Sequence, residues 1–177
     1  MEENFFLEIA SLLAMYRITV VCLGNICRSP IGEAVLRARV DEAGLSGQVS
    51  VDSAGTGDWH LGQGANPRSI AVLAEHDYLL DHRARQITSD WFADIDLVLA
   101  MDAANYADLQ RMHVGTRAEL RMFRSFDPEL AHLREPDPEL DVPDPYYAGP
   151  EDFLDVLRMV ERASDGVVAH AAARLTS

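Results

Sequence analysis

The sequence predicts a single α/β domain: a four-stranded parallel sheet with helices on both faces. Short apolar, β-branched runs alternate with stretches of helical spacing in the order β-α-β-α-β-α-β. That alternation calls for parallel strands joined by helical crossovers. A length of 177 residues suits one domain with a sizeable core. The first strand runs into the first helix through a tight loop, which is where chemistry-bearing residues concentrate.

In chain order, Arg17-Ile18-Thr19-Val20-Val21 reads as the first buried strand. Residues 30–43 read as the first helix, with Ile31, Val35, Leu36 and Val40 near helical spacing. Ser29 is placed as its N-cap, Pro30 as its first residue and Gly44 as its stop. Val49 to Ser53 alternates like a strand, and Ala54 to Asp58 reads as a loop. Pro67 to Tyr78 reads as a second helix capped by Asn66, with Ile70, Leu73 and Ala74 facing inward. Asp96 to Met101 is a buried strand, Asp102 to Arg111 a short helix, and Ala118 to Phe123 the last strand. Residues 125–150 are rich in Pro, Asp and Glu and read mostly as a solvated acidic loop. The final helix runs from about Gly149 to Arg174, with Phe153, Val156, Leu157, Val160, Val167 and Val168 as its core face. Asp165-Gly166 is its weak point.

Residues 1–15 read as an N-terminal extension to a domain spanning 16–177. Their apolar stretch is too short to span a membrane. Glu2 and Glu3 stand where a signal peptide carries basic residues. Two readings stay open: an added helix, or Met15 as the natural start.

Composition narrows the function. The formal net charge is −14, a poor balance for binding nucleic acid or anionic membranes. Two cysteines five residues apart make no disulfide scaffold and fit a reducing, cytoplasmic compartment. The six histidines are scattered and make no metal-ligand set, so neither metal nor cofactor is expected. Gly55-x-Gly57 is only a fragment of a dinucleotide fingerprint and follows the wrong strand.

The stretch that carries chemistry is Cys22-Leu23-Gly24-Asn25-Ile26-Cys27-Arg28-Ser29-Pro30. It links a strand end to a helix start, where orphan backbone N–H groups welcome an anion. Cys-x5-Arg lets the backbone curl around a tetrahedral oxyanion, with Gly24 expected to supply the positive φ of the curl. Arg28 offers a planar fork to two phosphate oxygens. A thiol beside an arginine at a helix N-terminus is held as the thiolate at neutral pH. Cys22 is then a nucleophile in a phosphate cradle. It is not a Walker A loop, since no Gly-Lys-Ser/Thr follows; the chain has no lysine at all. Exposed carboxylates beyond about 8 Å are screened at physiological salt, so the acidic surface slows encounter without emptying the cradle.

This stretch resembles the signature loop Cys-x-Gly-Asn-x-Cys-Arg-Ser-Pro of the low-molecular-weight protein tyrosine phosphatases. Val51-Asp52-Ser53-Ala54-Gly55-Thr56, His82-Arg83-Ala84-Arg85-Gln86 and Asp144-Pro145-Tyr146-Tyr147 resemble further family stretches in order. The resemblance covers roughly residues 16–175. It implies strand order 2-1-3-4, whose switch point lies beside the first strand, where ligands bind outside the strand ends. It also implies hydrolysis of phosphotyrosine in proteins, and of small aryl phosphates, through a phosphocysteine, with phosphate or vanadate as inhibitors.

In that scheme Cys22 attacks phosphorus, and Arg28 with the amides of Leu23, Gly24, Asn25, Ile26 and Cys27 holds the equatorial oxygens. Ser29 donates to Cys22, and His82 supports the loop by bonding Asn25 or Ser29. Leu23, Trp59, Tyr146 and Tyr147 form the substrate pocket. Asp144 sits among stiff prolines and aromatic neighbours, where desolvation and the bound phosphate keep it protonated as the general acid. Cys27 lies close enough in sequence to form a disulfide with an oxidised Cys22. A monomer or weak homodimer is expected. Two alternatives stay open: an arsenate reductase-like thiol enzyme, for which two cysteines make a poor relay, and a non-catalytic phosphate-binding regulator, which has no use for Asp144.

Overall fold

The computed structural model describes residues 15–177. The readings made for residues 1–14 lie outside the described residues. Four strands, β1 (Tyr16–Cys22), β2 (Val49–Gly55), β3 (Leu97–Ala100) and β4 (Glu119–Met122), form one sheet in the order β2-β1-β3-β4. All three pairings are parallel. The α-helices are α1 (Arg28–Glu42), α2 (Pro67–Glu75), α3 (Ala103–Met112) and α4 (Pro150–Leu175), with short 3-10 turns between them. The expected class and strand order hold.

Strand alternation splits the core in two. Ile18, Val20, Leu97 and Leu99 face a large cluster with α1, α2 and α4, while Val21, Val98 and Ala100 face a smaller one with Phe92 and Leu109. The helices therefore lie on both faces. Every residue of α1 from Arg28 to Leu36 is buried, because that half of the helix lies between the sheet and α4. The predicted core face of α4 is buried throughout. Gly166 does not interrupt that helix: a Cβ there would stand 2.4 Å from the Phe126 carbonyl, so the glycine admits a close crossing.

Several boundaries differ from the sequence reading. α1 starts at Arg28 with Cys27 as its N-cap residue, so Ser29 is not the cap; its hydroxyl is engaged inside the loop instead. β2 continues through Ala54 and Gly55, because β1 pairs with both. α2 stops at Glu75, where Asp77 takes a positive φ of 63° and Tyr78 N–H returns to the Leu73 carbonyl. Its buried face is Ser69, Val72 and Leu73, while Ile70 and Ala74 are exposed. The face is turned toward Ser69, whose hydroxyl donates to the Cys27 carbonyl at 3.2 Å. The segment 125–150 is more than a solvated loop: Asp127 is buried against Arg162, and Leu140 and Val142 enter the core.

Candidate active site

β1 ends at Cys22 and α1 begins at Arg28, so the loop between them sits at the carboxyl end of the strand beside the switch point. Its positive φ belongs to Asn25, at 57°, and not to Gly24. Asparagine tolerates this conformation when its side chain is held, and here the amide oxygen and both amide hydrogens are engaged. The Arg85 backbone N–H donates to Asn25 Oδ1 at 2.9 Å. Asn25 Nδ2 donates to Ser29 Oγ at 2.8 Å and to Ser53 Oγ at 2.9 Å. The role of Gly24 is spatial: a Cβ there would meet His60 Cδ2 at 3.0 Å.

That network sets a direction. A backbone N–H can only donate, so Arg85 fixes which end of the Asn25 amide is oxygen. Both amide hydrogens then point at serines, and Ser29 accepts one of them. The Ser29 proton is left for Cys22 Sγ, 3.1 Å away, with the Ala54 carbonyl a longer alternative at 3.4 Å. His82 Nε2 donates to the Asn25 backbone carbonyl at 2.6 Å, so its contact is with the main chain of the loop. Burial, with Arg85 and Arg37 nearby, pushes the His82 pKa down despite that bond. Behind Ser53, the buried Glu33 carboxyl has its pKa pushed up by burial, against the pull of Arg37 and Ser53.

Arg28 is buried and anchored through one nitrogen. Nη1 donates to Asp102 Oδ2 at 2.5 Å and to the Val142 carbonyl at 3.0 Å. Nη2 lies 3.5 Å from Asp144 Oδ2. Burial works against the Arg28 charge, but Cys22, Asp102 and Asp144 outweigh it and hold its pKa above the ordinary value. Asp102 also serves the next helix, since its Oδ1 accepts from Asn105 N–H and caps α3. Sequence reasoning gave Asp102 no role. An aspartate between a strand end and a helix start was the available signal.

Asp144 follows Val142, whose N–H is pinned to the Met101 carbonyl at 2.7 Å. Asp144 is not enclosed as expected: its side chain is 45% exposed and faces Arg28. Its Oδ1 accepts from Tyr146 N–H at 3.2 Å. Cys27 is buried, and burial together with neighbouring Cys22 pushes its thiol pKa up to about 12.

Cys22, Leu23, Gly24, Ile26, Cys27 and Arg28 floor a cleft of about 400 Å³, with Trp59, His60, Asp144, Tyr146 and Tyr147 as its walls. Trp59 is 67% exposed. Tyr146 packs edge-on against Tyr147 at 4.7 Å between ring centroids. Every residue predicted for the nucleophile, the acid and the pocket thus meets at one cleft, and His60 joins them without having been predicted. Its position next to Trp59 was the signal. Among the described residues no group of three or more His, Cys, Asp and Glu side chains is placed to hold a metal ion.

Comparison with known proteins agrees with this geometry. The family model for low molecular weight phosphotyrosine protein phosphatase matches residues 17–176. A low molecular weight protein-tyrosine-phosphatase of Streptomyces coelicolor is 53% identical over 156 residues, which cover 87% of this chain and 92% of that protein. Low molecular weight protein-tyrosine phosphatase A of Mycobacterium tuberculosis is 43% identical over 150 residues, covering 85% and 88%. The crystal structure of a protein tyrosine phosphatase from Entamoeba histolytica, with Hepes in its active site, aligns with a TM-score of 0.78 at 32% identity, covering 87% of this chain and 95% of that one. With the cleft, the strand order and nearly the whole sequence in agreement, the chain belongs to the low molecular weight phosphotyrosine protein phosphatase family.

Proposed function

We propose that this protein-tyrosine phosphatase hydrolyses phosphotyrosyl proteins in two steps through a phosphocysteine on Cys22. One observation carries the reading: Cys22 Sγ, Arg28 and Asp144 share a single cleft whose mouth is aromatic. The cleft has apolar walls for a phenyl ring and a cationic floor for its phosphate. The Cys22 thiolate attacks phosphorus in line, stabilised by the Ser29 hydroxyl. Arg28 and the loop amides hold the equatorial oxygens, whose charge spreads in the transition state. Asp102 and Val142 occupy Arg28 Nη1, which leaves Nε and Nη2 for the oxyanion. Asp144 protonates the leaving phenolate, then takes a proton from the water that cleaves the phosphocysteine. Free phosphate or vanadate competes for the cradle.

Leu23, Trp59 and Tyr146 flank the substrate ring, and Tyr147 extends the mouth toward the protein that bears it. Two free cysteines suit a reducing cytoplasm. No helix of the described residues is long and apolar enough to cross a membrane.

The test is hydrolysis of p-nitrophenyl phosphate by wild type and Cys22→Ser with a chelator present. Wild type should turn over at its full rate, and Cys22→Ser should be inactive. A variant that keeps more than about a tenth of the rate, a barrier difference under roughly 1.4 kcal/mol, would rule out the covalent route.

A further inference from the structure

We infer that Asp141 is a positioning residue for the general acid, closing a ring of hydrogen bonds that sets Asp144 relative to Arg28. The inference rests on the reading of Asp144 given above. Three consecutive residues at the junction of β3 and α3 hold both the arginine and the segment that leads to the acid. The Met101 carbonyl accepts from Val142 N–H at 2.7 Å, Asp102 Oδ2 accepts from Arg28 Nη1 at 2.5 Å, and Ala103 N–H donates to Asp141 Oδ1 at 2.7 Å. Arg28 Nη1 also donates to the Val142 carbonyl at 3.0 Å. The ring runs from Asp141 through Ala103 and Asp102 to Arg28, and returns through Val142. The bond at Val142 N–H fixes one point of the segment and leaves it free to turn about that point. The Asp141 side chain supplies a second point on the adjacent residue, and so an orientation.

What is set at Asp141 reaches Asp144 because the chain between them is stiff. Pro143 and Pro145 have locked φ angles, and each keeps the residue before it, Val142 and Asp144, out of the helical region. Val142 and Pro145 are buried, while Pro143 and Asp144 between them are exposed. A rotation at residue 141 is therefore passed on to the Asp144 carboxyl. That carboxyl has little support of its own: it accepts from Tyr146 N–H within the same loop and faces Arg28 at 3.5 Å. Nor is Asp141 needed as the cap of α3, since Asp102 fills that place through Asn105 N–H. Asp141 takes a further first-turn N–H, at the helix end that favours a negative charge. A bond made only to cap the helix would leave the acid indifferent to its loss.

The test compares kcat/KM for a phosphotyrosyl peptide and for p-nitrophenyl phosphate. Asp141→Ala should slow the peptide about tenfold, less than the 10²-fold or so that a misplacement of about 1 Å can cost. It should slow p-nitrophenyl phosphate much less, because that phenolate leaves without a proton. Asp141→Leu, which also lacks the acceptor but fills the space, should give the same split and serves if the alanine variant does not fold. Asp141→Asn keeps an oxygen for Ala103 N–H and should return the peptide rate to within about threefold of wild type. Phosphate inhibition should stay within about threefold in every variant, because Arg28 keeps Asp102 and the Val142 carbonyl. In an Asp144→Ala background, adding Asp141→Ala should cost the peptide less than about twofold more. Equal slowing of both substrates, a full tenfold loss in the Asp144→Ala background, or loss of phosphate inhibition would each overturn the inference. So would Asp141 variants that leave the peptide rate unchanged while Asp144→Ala still separates the two substrates. If Asp144→Ala itself slows both alike, the general-acid reading falls, and the inference with it.

Discussion

Two loops meet at the cleft, and they are built in opposite ways. The loop from Cys22 to Arg28 is buried except at its rim, and its side chains have assigned partners on β2, on the 82–85 segment, at the start of α3 and at Val142. The loop from Pro143 to Gly149 is pinned just before it, at Val142, and by Arg68 on the Ala148 carbonyl. Between those points Asp144 is 45% exposed and Tyr147 is 96% exposed. The contrast follows from the two jobs. Stabilising a spreading negative charge works best with donors already in place, since nothing then reorganises during the reaction. A general acid must regain its proton from solvent and release a product, which requires an open position. The first loop therefore answers to geometry, and the second to the leaving group.

The largest effects should fall on the first loop. Arg28→Ala should cost about 10³–10⁵-fold in kcat/KM, by analogy with an arginine that stabilises the charge of a phosphoryl-transfer transition state, and should also abolish phosphate and vanadate inhibition. Cys22→Ser should lose turnover but keep that binding, because Arg28 and the amides remain. Inhibition constants, with direct titration for the inactive variant, separate the two. If Arg28→Ala still binds phosphate as well as Cys22→Ser does, the floor of the cleft is not the oxyanion site.

Asp144→Ala should discriminate between substrates. General acid help is typically worth about 10²–10⁴-fold, and phosphotyrosine, with a poor leaving group, should lose that much. p-Nitrophenyl phosphate, whose phenolate leaves without a proton, should lose far less. Uniform slowing of both would assign Asp144 to holding Arg28, which it faces at 3.5 Å, and would erase the division between the loops.

The same contrast explains how much could be read in advance. The signature stretch was legible because Cys22, Arg28 and Ser29 are close in sequence and each has a recognisable chemical use. The sheet was legible because its strands are apolar and its helices are punctuated by Pro67 and Pro150. The supports of the loop were not, because they come from far away and often through the main chain: Asp102 is 74 residues from Arg28, the Val142 carbonyl 114, and the Arg85 N–H 60 from Asn25. A backbone group has no letter in the sequence. Assigning the positive φ to Gly24 followed the commonest habit of turns; the bonds to Asn25 from distant residues decided otherwise. The openness of Asp144 was missed because flanking prolines and tyrosines suggest enclosure, whereas Tyr147 points into solvent.

A smaller effect concerns recovery from oxidation. Cys22 and Cys27 both line the floor of the cleft, five residues apart on the same loop. Burial and the neighbouring Cys22 push the Cys27 pKa up to about 12, so Cys27 stays a neutral thiol and Cys22 is the group that meets peroxide. Oxidation to a sulfenic acid removes the Cys22 charge and with it one cause of that shift. Cys27 can then attack, releasing water and forming the disulfide. Wild type treated with peroxide should lose two hydrogens by intact mass and regain activity with dithiothreitol. Cys27→Ser should be inactivated at a similar rate and recover poorly. A sulfinic acid on Cys22 of the wild type, with no disulfide, would leave Cys27 as packing in the loop.

The smallest effect tests whether the rigidity of the first loop depends on an uncharged support. His82 holds the Asn25 carbonyl through Nε2, and burial, reinforced by Arg85 and Arg37, keeps its pKa below the ordinary value near 6.5. A histidine with a depressed folded pKa binds its proton more readily once the chain unfolds. Its neutral form therefore contributes stability that is fully present above about pH 6.5, and that contribution is lost as pH falls through the folded value. The side-chain amide introduced by His82→Gln would keep a donor near the carbonyl but could not titrate. Glu33, whose pKa burial pushes up, titrates in both proteins and cancels from their difference. Between pH 7.5 and 5.0 the Tm of wild type should therefore fall relative to that of His82→Gln, by an amount well below the loss expected for a core substitution. If the two Tm curves run parallel over that range, protonation of His82 costs the fold nothing. The loop would then be held by the Asn25 side chain and its partners alone.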